Sequence, residues 1–100
     1  MKLSILIPAY NEAKTIHLIL DKVKDVVLPE GIAKEIIIVN DFSTDNTVEK
    51  IEAYQTKNKE LAIQLFSQEK NKGKGAAIHK AIELATGEYL GAFCLSEPEA

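Results

Sequence analysis

Ile36, Ile37, Ile38 and Val39 form an unbroken β-branched run, and few folds can accept one. A segment that is apolar at every position suits a strand covered on both faces, as inside a parallel sheet flanked by helices. It stops abruptly at Asn40, Asp41, Ser43, Thr44, Asp45 and Asn46. Such side chains bond readily to nearby backbone, so the strand is expected to end in a turn that caps a helix beginning around residues 44–46. In open α/β sheets, ligands collect outside the carboxyl ends of the strands. Asp41 therefore has two readings at this point: a carboxylate that holds a ligand, or a residue that only shapes its turn. As a surface turn residue it is expected to cost little stability when replaced.

Strand and helix patterns alternate through the rest of the chain. Leu3, Ile5, Leu6 and Ile7 read as a first strand ended by Pro8, which lacks an N–H and pushes Ile7 towards an extended conformation. Ala9, Tyr10 and Asn11 form the following loop, with Asn11 as the expected N-cap and Glu12 favoured by the helix dipole in the first turn. Ile16, Ile19, Leu20, Val23, Val26 and Val27 then recur at helical spacing up to Leu28-Pro29-Glu30-Gly31. After the second strand, Glu35 to Val39, a second helix is expected to bury Val48, Ile51 and Tyr54 or Gln55. Leu61, Ile63 and Leu65 alternate with Ala62 and Gln64 as a third strand extended by Phe66. A third helix follows through Ala76, Ala77, Ile78, Ala81, Ile82 and Ala85, its small residues letting it lie close to the sheet. Tyr89, Leu90, Ala92 and Phe93 suggest a fourth strand. The order β-α-β-α-β-α-β predicts an α/β fold with parallel strands joined by right-handed crossovers. Its 100 residues, 46% of them hydrophobic, are expected to make one domain spanning 1–100.

Composition narrows the partners. A net charge of −3 with no long basic stripe gives no electrostatic footprint for nucleic acid. All 12 basic residues are lysines, so phosphate contacts would come from backbone N–H groups, point charges or a metal rather than from arginine forks. Cys94 is the single cysteine, which rules out an internal disulfide and fits a reducing compartment. With no signal-peptide pattern and no apolar run of roughly 20 residues, a cytoplasmic location without a transmembrane segment is expected, the inner face of the membrane being the alternative. His17 has no second histidine at metal-ligand spacing and reads as a surface or core-edge residue.

Gly73-Lys74-Gly75 lacks the upstream glycine and the Ser or Thr of a Walker loop, and Ile78 stands where a dinucleotide fingerprint needs a third glycine. A tight turn and helix start explain these glycines better than a phosphate cradle does. Lys70, Lys72, Lys74 and Lys80 read as a solvated face with a weaker claim on a diphosphate or an acidic membrane.

Three stretches taken together carry a resemblance: Ser4-Ile-Leu-Ile-Pro-Ala-Tyr-Asn-Glu12, Glu35-Ile-Ile-Ile-Val-Asn-Asp-Phe-Ser-Thr-Asp-Asn-Thr47, and Asn71-Lys-Gly-Lys-Gly-Ala-Ala77 continuing to Ala85-Thr-Gly-Glu-Tyr-Leu90. In order and spacing, over about residues 2–93, the chain resembles the N-terminal half of a family-2 glycosyltransferase, close to the dolichyl-phosphate mannose synthase-like, polyprenyl-phosphate branch. The resemblance implies a Rossmann-like N-terminal half of a GT-A fold that binds a nucleoside diphosphate sugar. Carried over residue by residue, it assigns nucleotide-sugar binding to Pro8, Ala9, Tyr10, Glu12, Val39 and Asp41. Asn40 replaces the family's usual first Asp, and Phe42 stands where Gly is common. The family also implies Mg²⁺ or Mn²⁺ on an Asp-x-Asp pair after the fourth strand, but those positions here read Cys94-Leu95-Ser96. A neutral thiol and a hydroxyl do not replace the oxygen charge that a hard cation requires. The expected function is thus the donor-binding part of a sugar transferase, inactive as this isolated chain, with polyprenyl phosphate as the acceptor of the parent enzyme. A sheet built to be covered elsewhere predicts self-association. The alternative from a different class is a non-catalytic nucleotide-binding or protein-interaction module with a degenerate metal site.

Overall fold

The computed structural model describes residues 2–26, 28–86 and 89–92. Its elements are β1 (Lys2–Ala9), α1 (Ile16–Lys24), β2 (Ala33–Asn40), α2 (Thr47–Lys57), β3 (Ala62–Ser67), α3 (Lys74–Leu84) and β4 (Tyr89–Ala92). All strand pairs are parallel, and the sheet order is β3-β2-β1-β4. Every strand and helix type expected from the sequence is present in the expected order. Phe93, Cys94 and Ser96 lie outside the described residues.

That strand order dictates where the helices go. The chain steps outward from β1 to β2 to β3, then returns past both to place β4 on the far side of β1. Right-handed crossovers made in one direction put their helices on one face, and reversing direction puts the next helix on the other. Accordingly, Ile16, Ile19, Leu20 and Val23 of α1 and Ile51 of α2 pack with Ile5, Ile7, Ile36 and Ile38 on one face. Ala77 and Ala81 of α3 pack with Leu6, Ile37 and Val39 on the other. The β-branched run is covered from both sides, and none of Ile36 to Val39 is more than 1% exposed. Full burial of such a side chain contributes about 1.5 to 3 kcal/mol, which makes β2 the spine of the sheet. Ala77 and Ala81 are both fully buried, consistent with small residues bringing α3 close.

Several boundaries differ from the sequence expectation, each for a physical reason. β1 runs through Pro8 to Ala9, with Pro8 opposite Val39 of β2. The described pairing with β4 runs from Leu3 to Leu6. Helix α1 ends at Lys24, short of Val26 and of Val27, the latter outside the described residues. Lys34 ends it from the start of β2, its Nζ donating to the carbonyls of Val23 at 2.8 Å, Lys24 at 3.2 Å and Val26 at 3.0 Å. A cation on these carbonyls satisfies the acceptors that another turn of helix would have used.

Asn11 is not the N-cap of α1. It sits at φ 53° in the connection after β1, and Thr15 occupies the cap position. Glu12 likewise lies outside the first helical turn, its carbonyl accepting from the N–H groups of Thr15 and Ile16.

At the amino end of the strands a second polar cluster fixes the return to β4. Glu35 accepts hydrogen bonds from Ser4 Oγ at 2.6 Å, Thr86 N at 2.8 Å and Thr86 Oγ1 at 3.0 Å, with Lys2 Nζ 3.7 Å away. Burial alone would raise the Glu35 carboxyl, but the bonds from Ser4 and Thr86 and the charge of Lys2 hold it below its ordinary value. The segment between α3 and β4 is thereby tied to both central strands, at the end of the sheet opposite the candidate site.

Candidate functional site

The connections after β1, β2 and β3 meet outside the carboxyl ends of the strands, where an open parallel sheet holds its ligands. Ala9 pairs with Asn40 in register, and one residue further the Asp41 N–H donates to the Ala9 carbonyl at 2.8 Å. From there the β1 and β2 connections leave side by side. Asn11 N donates to Ser43 Oγ at 2.9 Å, and Asn11 Oδ1 accepts from the Thr44 N–H at 2.7 Å. Glu12 N donates to Thr47 Oγ1 at 2.9 Å. Asn11 thus turns its amide side chain to the neighbouring loop rather than to its own helix, and its positive φ is one that Asn tolerates better than most residues.

Asp45 completes this seam. It accepts from the Thr47 N–H at 3.0 Å, from Thr47 Oγ1, and from the Ala13 N–H at 3.4 Å. Burial would raise its carboxyl, but the bonds from Thr47 and Ala13 bring it below the ordinary value. Asn40 plays a similar part on the other side. Its Nδ2 donates to Ser67 Oγ at 3.3 Å while its Oδ1 accepts from Ser43 N at 3.1 Å and from Ser43 Oγ. An ionised aspartate has no donor for Ser67 and would have to accept from its hydroxyl instead, so the amide makes this contact in the direction the family's usual acid could not.

Asp41 is buried, only 3% exposed, which corrects the expectation of a surface turn residue. Its two carboxylate oxygens reach across to the lysine-rich connection after β3. Oδ1 accepts from the Lys72 N–H and Oδ2 from the Gly73 N–H, each at 2.8 Å, while the Asp41 carbonyl accepts from Asn71 Nδ2 at 3.4 Å. Gly73 takes φ 93° immediately before α3, a conformation only glycine adopts freely. The carboxylate therefore stands at the amino end of α3, where the helix dipole favours a negative charge. Of the amides at Gly73-Lys74-Gly75, that of Gly73 already has an internal anion, as does the preceding amide of Lys72.

The other sequence-indicated residues divide by what they can offer. Ala9 and Val39 are buried, and the Val39 side chain packs in the core beneath α3, which leaves only backbone for a ligand. Pro8 and Glu12 are half-buried, and Glu12 Oε1 accepts from Thr15 Oγ1 at 3.0 Å. Tyr10 is 45% exposed and Phe42 is 50% exposed, so both rings stand open to solvent at this end of the sheet. The sequence did not mark Asn11, Ser43, Asp45 or Thr47 as the residues that stitch the site together. Their signal was the density of Ser, Thr, Asp and Asn, which identifies a turn without identifying which loop each side chain will reach.

On the outer surface, α1 and α2 enclose a groove of about 460 Å³ lined by His17, Asp21, Lys50, Ala53, Tyr54, Lys57 and Asn58. It lies on the helices rather than at the strand ends, and Tyr54 OH donates across it to Asp21 Oδ1 at 2.7 Å. Burial, then the bond to Asp21 and the nearby acidic charges, push the Tyr54 phenol well above its ordinary value, so it remains a donor. Among the described residues no group of three or more His, Cys, Asp or Glu side chains could hold a metal ion. No described helix is long and apolar enough to cross a membrane.

Comparison with known proteins identifies the family. Residues 4–93 match Glycosyl transferase family 2. The chain is 38% identical over 88 residues to the poly-β-1,6-N-acetyl-D-glucosamine synthase of Staphylococcus epidermidis, covering 88% of this chain and 20% of that protein. It is 41% identical over 91 residues to a dolichyl-phosphate β-glucosyltransferase of Trichomonas vaginalis, covering 84% of this chain and 26% of that one. Among solved structures, the mannosyltransferase of Pyrobaculum calidifontis, in complex with GDP-Man and Mn²⁺, superposes with a TM-score of 0.82 at 30% identity over 88% of this chain and 25% of its own. Staphylococcus aureus TarS (residues 1–349), in complex with UDP-GlcNAc, gives a TM-score of 0.82 at 30% identity over 94% of this chain and 26% of its own. The chain thus spans about a fifth to a quarter of the length of these relatives. With the fold of GT-A glycosyltransferases and a family match over nearly its whole length, this chain belongs to glycosyl transferase family 2.

Proposed function

We propose that residues 1–100 form the donor-binding part of a glycosyltransferase, holding a nucleoside diphosphate sugar at the carboxyl ends of β1 and β2 through Pro8, Ala9, Tyr10, Glu12, Val39 and Asp41. The observation that carries this reading is the convergence of those residues on one end of the sheet, with Asp41 at its centre. Each Asp41 oxygen uses one lone pair on a loop amide and keeps another for a ribose hydroxyl or a base N–H. The GDP-Man and UDP-GlcNAc complexes of the two structural relatives support a nucleotide sugar as the ligand class. Polyprenyl phosphate is the acceptor we favour, on the strength of the dolichyl-phosphate β-glucosyltransferase relative. A location on the cytoplasmic side, at the inner face of the membrane, fits such an acceptor.

The divalent metal expected for the family does not fit the donor set of this chain, because Cys94 and Ser96 supply neither of the two carboxylates. The chain alone is therefore expected to bind nucleotide without turning over sugar. Calorimetric titration of uridine and guanosine diphosphates, with and without Mg²⁺, tests this. Saturable binding of at least one, little changed by the metal, is the expected result. Absence of binding by either would overturn the reading, and donor hydrolysis or sugar transfer above a no-protein blank would overturn the inactivity.

A further inference from the structure

We propose that Phe42 is a base-stacking residue which, with Tyr10, receives the flat face of the nucleobase. The inference rests on the nucleotide-binding reading above and adds a residue to it. Phe42 lies at φ 62°, the left-handed region where a residue with a Cβ is strained and glycine is not. The positions on either side leave it no freedom to relax. Asp41 is fixed by the Ala9 carbonyl and by the Lys72 and Gly73 amides, and Ser43 is fixed by Asn40 and by Asn11 N. A turn held this firmly would accept glycine without strain, yet it carries the largest side chain in the connection, half exposed. With half of the ring left in water, burial offsets only part of the strain, and the exposed half is open to a partner outside the isolated fold.

The position of the ring supplies that benefit. Residues 10 and 42 each follow strand ends that are paired in register, Ala9 with Asn40, and the seam continues at Asn11 with Ser43. Tyr10 and Phe42 therefore rise from adjacent connections at the same end of the sheet, both about half exposed. The same connections carry Asn40, Asp41 and Ser43, whose side chains bond to Ser67, to the Lys72 and Gly73 amides and to Asn11 N. Two half-exposed rings on adjacent connections match a nucleobase, which presents an apolar face to each side. Stacking of this kind tolerates any base, because every base has a π-face.

The test uses Phe42→Gly and Phe42→Tyr in the full chain, titrated with uridine diphosphate, guanosine diphosphate and inorganic pyrophosphate, with thermal melts alongside. Phe42→Gly is expected to melt at or above the wild-type temperature, because the left-handed strain is gone, and to bind both nucleotides roughly tenfold more weakly. Its response to pyrophosphate should match wild type, and Phe42→Tyr should bind nucleotides as wild type does. Equal nucleotide binding by wild type and Phe42→Gly overturns the proposal while leaving the nucleotide reading intact. A lower melting temperature for Phe42→Gly in parallel with weaker binding also overturns it, by making the ring a structural element. Changed sedimentation of Phe42→Gly with unchanged nucleotide affinity overturns it in favour of a protein contact. Failure of wild type to bind either nucleotide removes both readings together.

Discussion

Replacing Asp41 with alanine removes a side chain that joins the β2 connection to the start of α3 through both of its acceptor atoms. Two charge-assisted hydrogen bonds of 2.8 Å, to Lys72 N and Gly73 N, are lost at once. A hydrogen bond to a charged group contributes about 1.5 to 3 kcal/mol. The lower end applies here, because Lys72 is exposed and Gly73 half-buried, so water can reach the freed amides. Asp41→Ala is therefore expected to destabilise by about 2 to 4 kcal/mol, a large part of the roughly 5 to 15 kcal/mol typical of a domain. At about 4 to 8 °C per kcal/mol for a domain near this size, the melting temperature should fall by at least about 8 °C. Asp41→Asn keeps one acceptor oxygen but turns an NH2 group towards the other amide and gives up the charge, so it should lose more than half as much. Urea denaturation followed by circular dichroism gives the free energies, and hydrogen exchange at Lys72 and Gly73 shows whether those amides are the ones released. A loss below about 0.5 kcal/mol for Asp41→Ala, or unchanged protection of both amides, would refute the reasoning.

Glu35 makes stability depend on acid. Its carboxyl is held below the ordinary value of 4.5 in the folded state, so its contribution is fully present above that value and is lost as pH falls through the lower folded value. The stability difference between wild type and Glu35→Gln should accordingly shrink below about pH 4.5 in denaturant titrations; a difference independent of pH would contradict it. Lys34→Met removes the cation from the carbonyls of Val23, Lys24 and Val26 while keeping an apolar stem. A loss of about 1 to 2 kcal/mol is expected in the same assay, with no change counting against the capping role. Self-association is expected of a sheet built to be covered elsewhere, and sedimentation showing a clean monomer at high concentration would count against it.

Where one physical effect dominated, the sequence could be read directly. The run Ile36 to Val39 admits only a strand covered on both faces, and that is its place between α1 and α2 on one side and α3 on the other. The helical spacing of Ile16, Ile19, Leu20 and Val23 is equally plain, since all four are buried. What sequence could not reveal was long-range polar pairing. Asn11 is a good N-cap residue on local grounds, but its partners are residues 44 and 45, over thirty positions away. Asp41 looked like a surface residue because its loop is polar, yet its partners at 72 and 73 take it out of water. Helix α1 ends early for the same kind of reason, since Lys34 lies ten residues beyond the carbonyl of Lys24 that it caps. Polar residues announce that a loop exists; only the sheet order determines which loops become neighbours.

The central claim is that a nucleoside diphosphate binds where the β1 and β2 connections meet, and amide-shift mapping by NMR tests it at the level of residues. On titration with guanosine or uridine diphosphate, the largest shifts are predicted for residues 9–12 and 39–43, with Lys72 and Gly73 following because Asp41 links them to the site. Shifts confined to residues 70–74, or centred on the groove between α1 and α2 around His17 and Tyr54, would contradict the account.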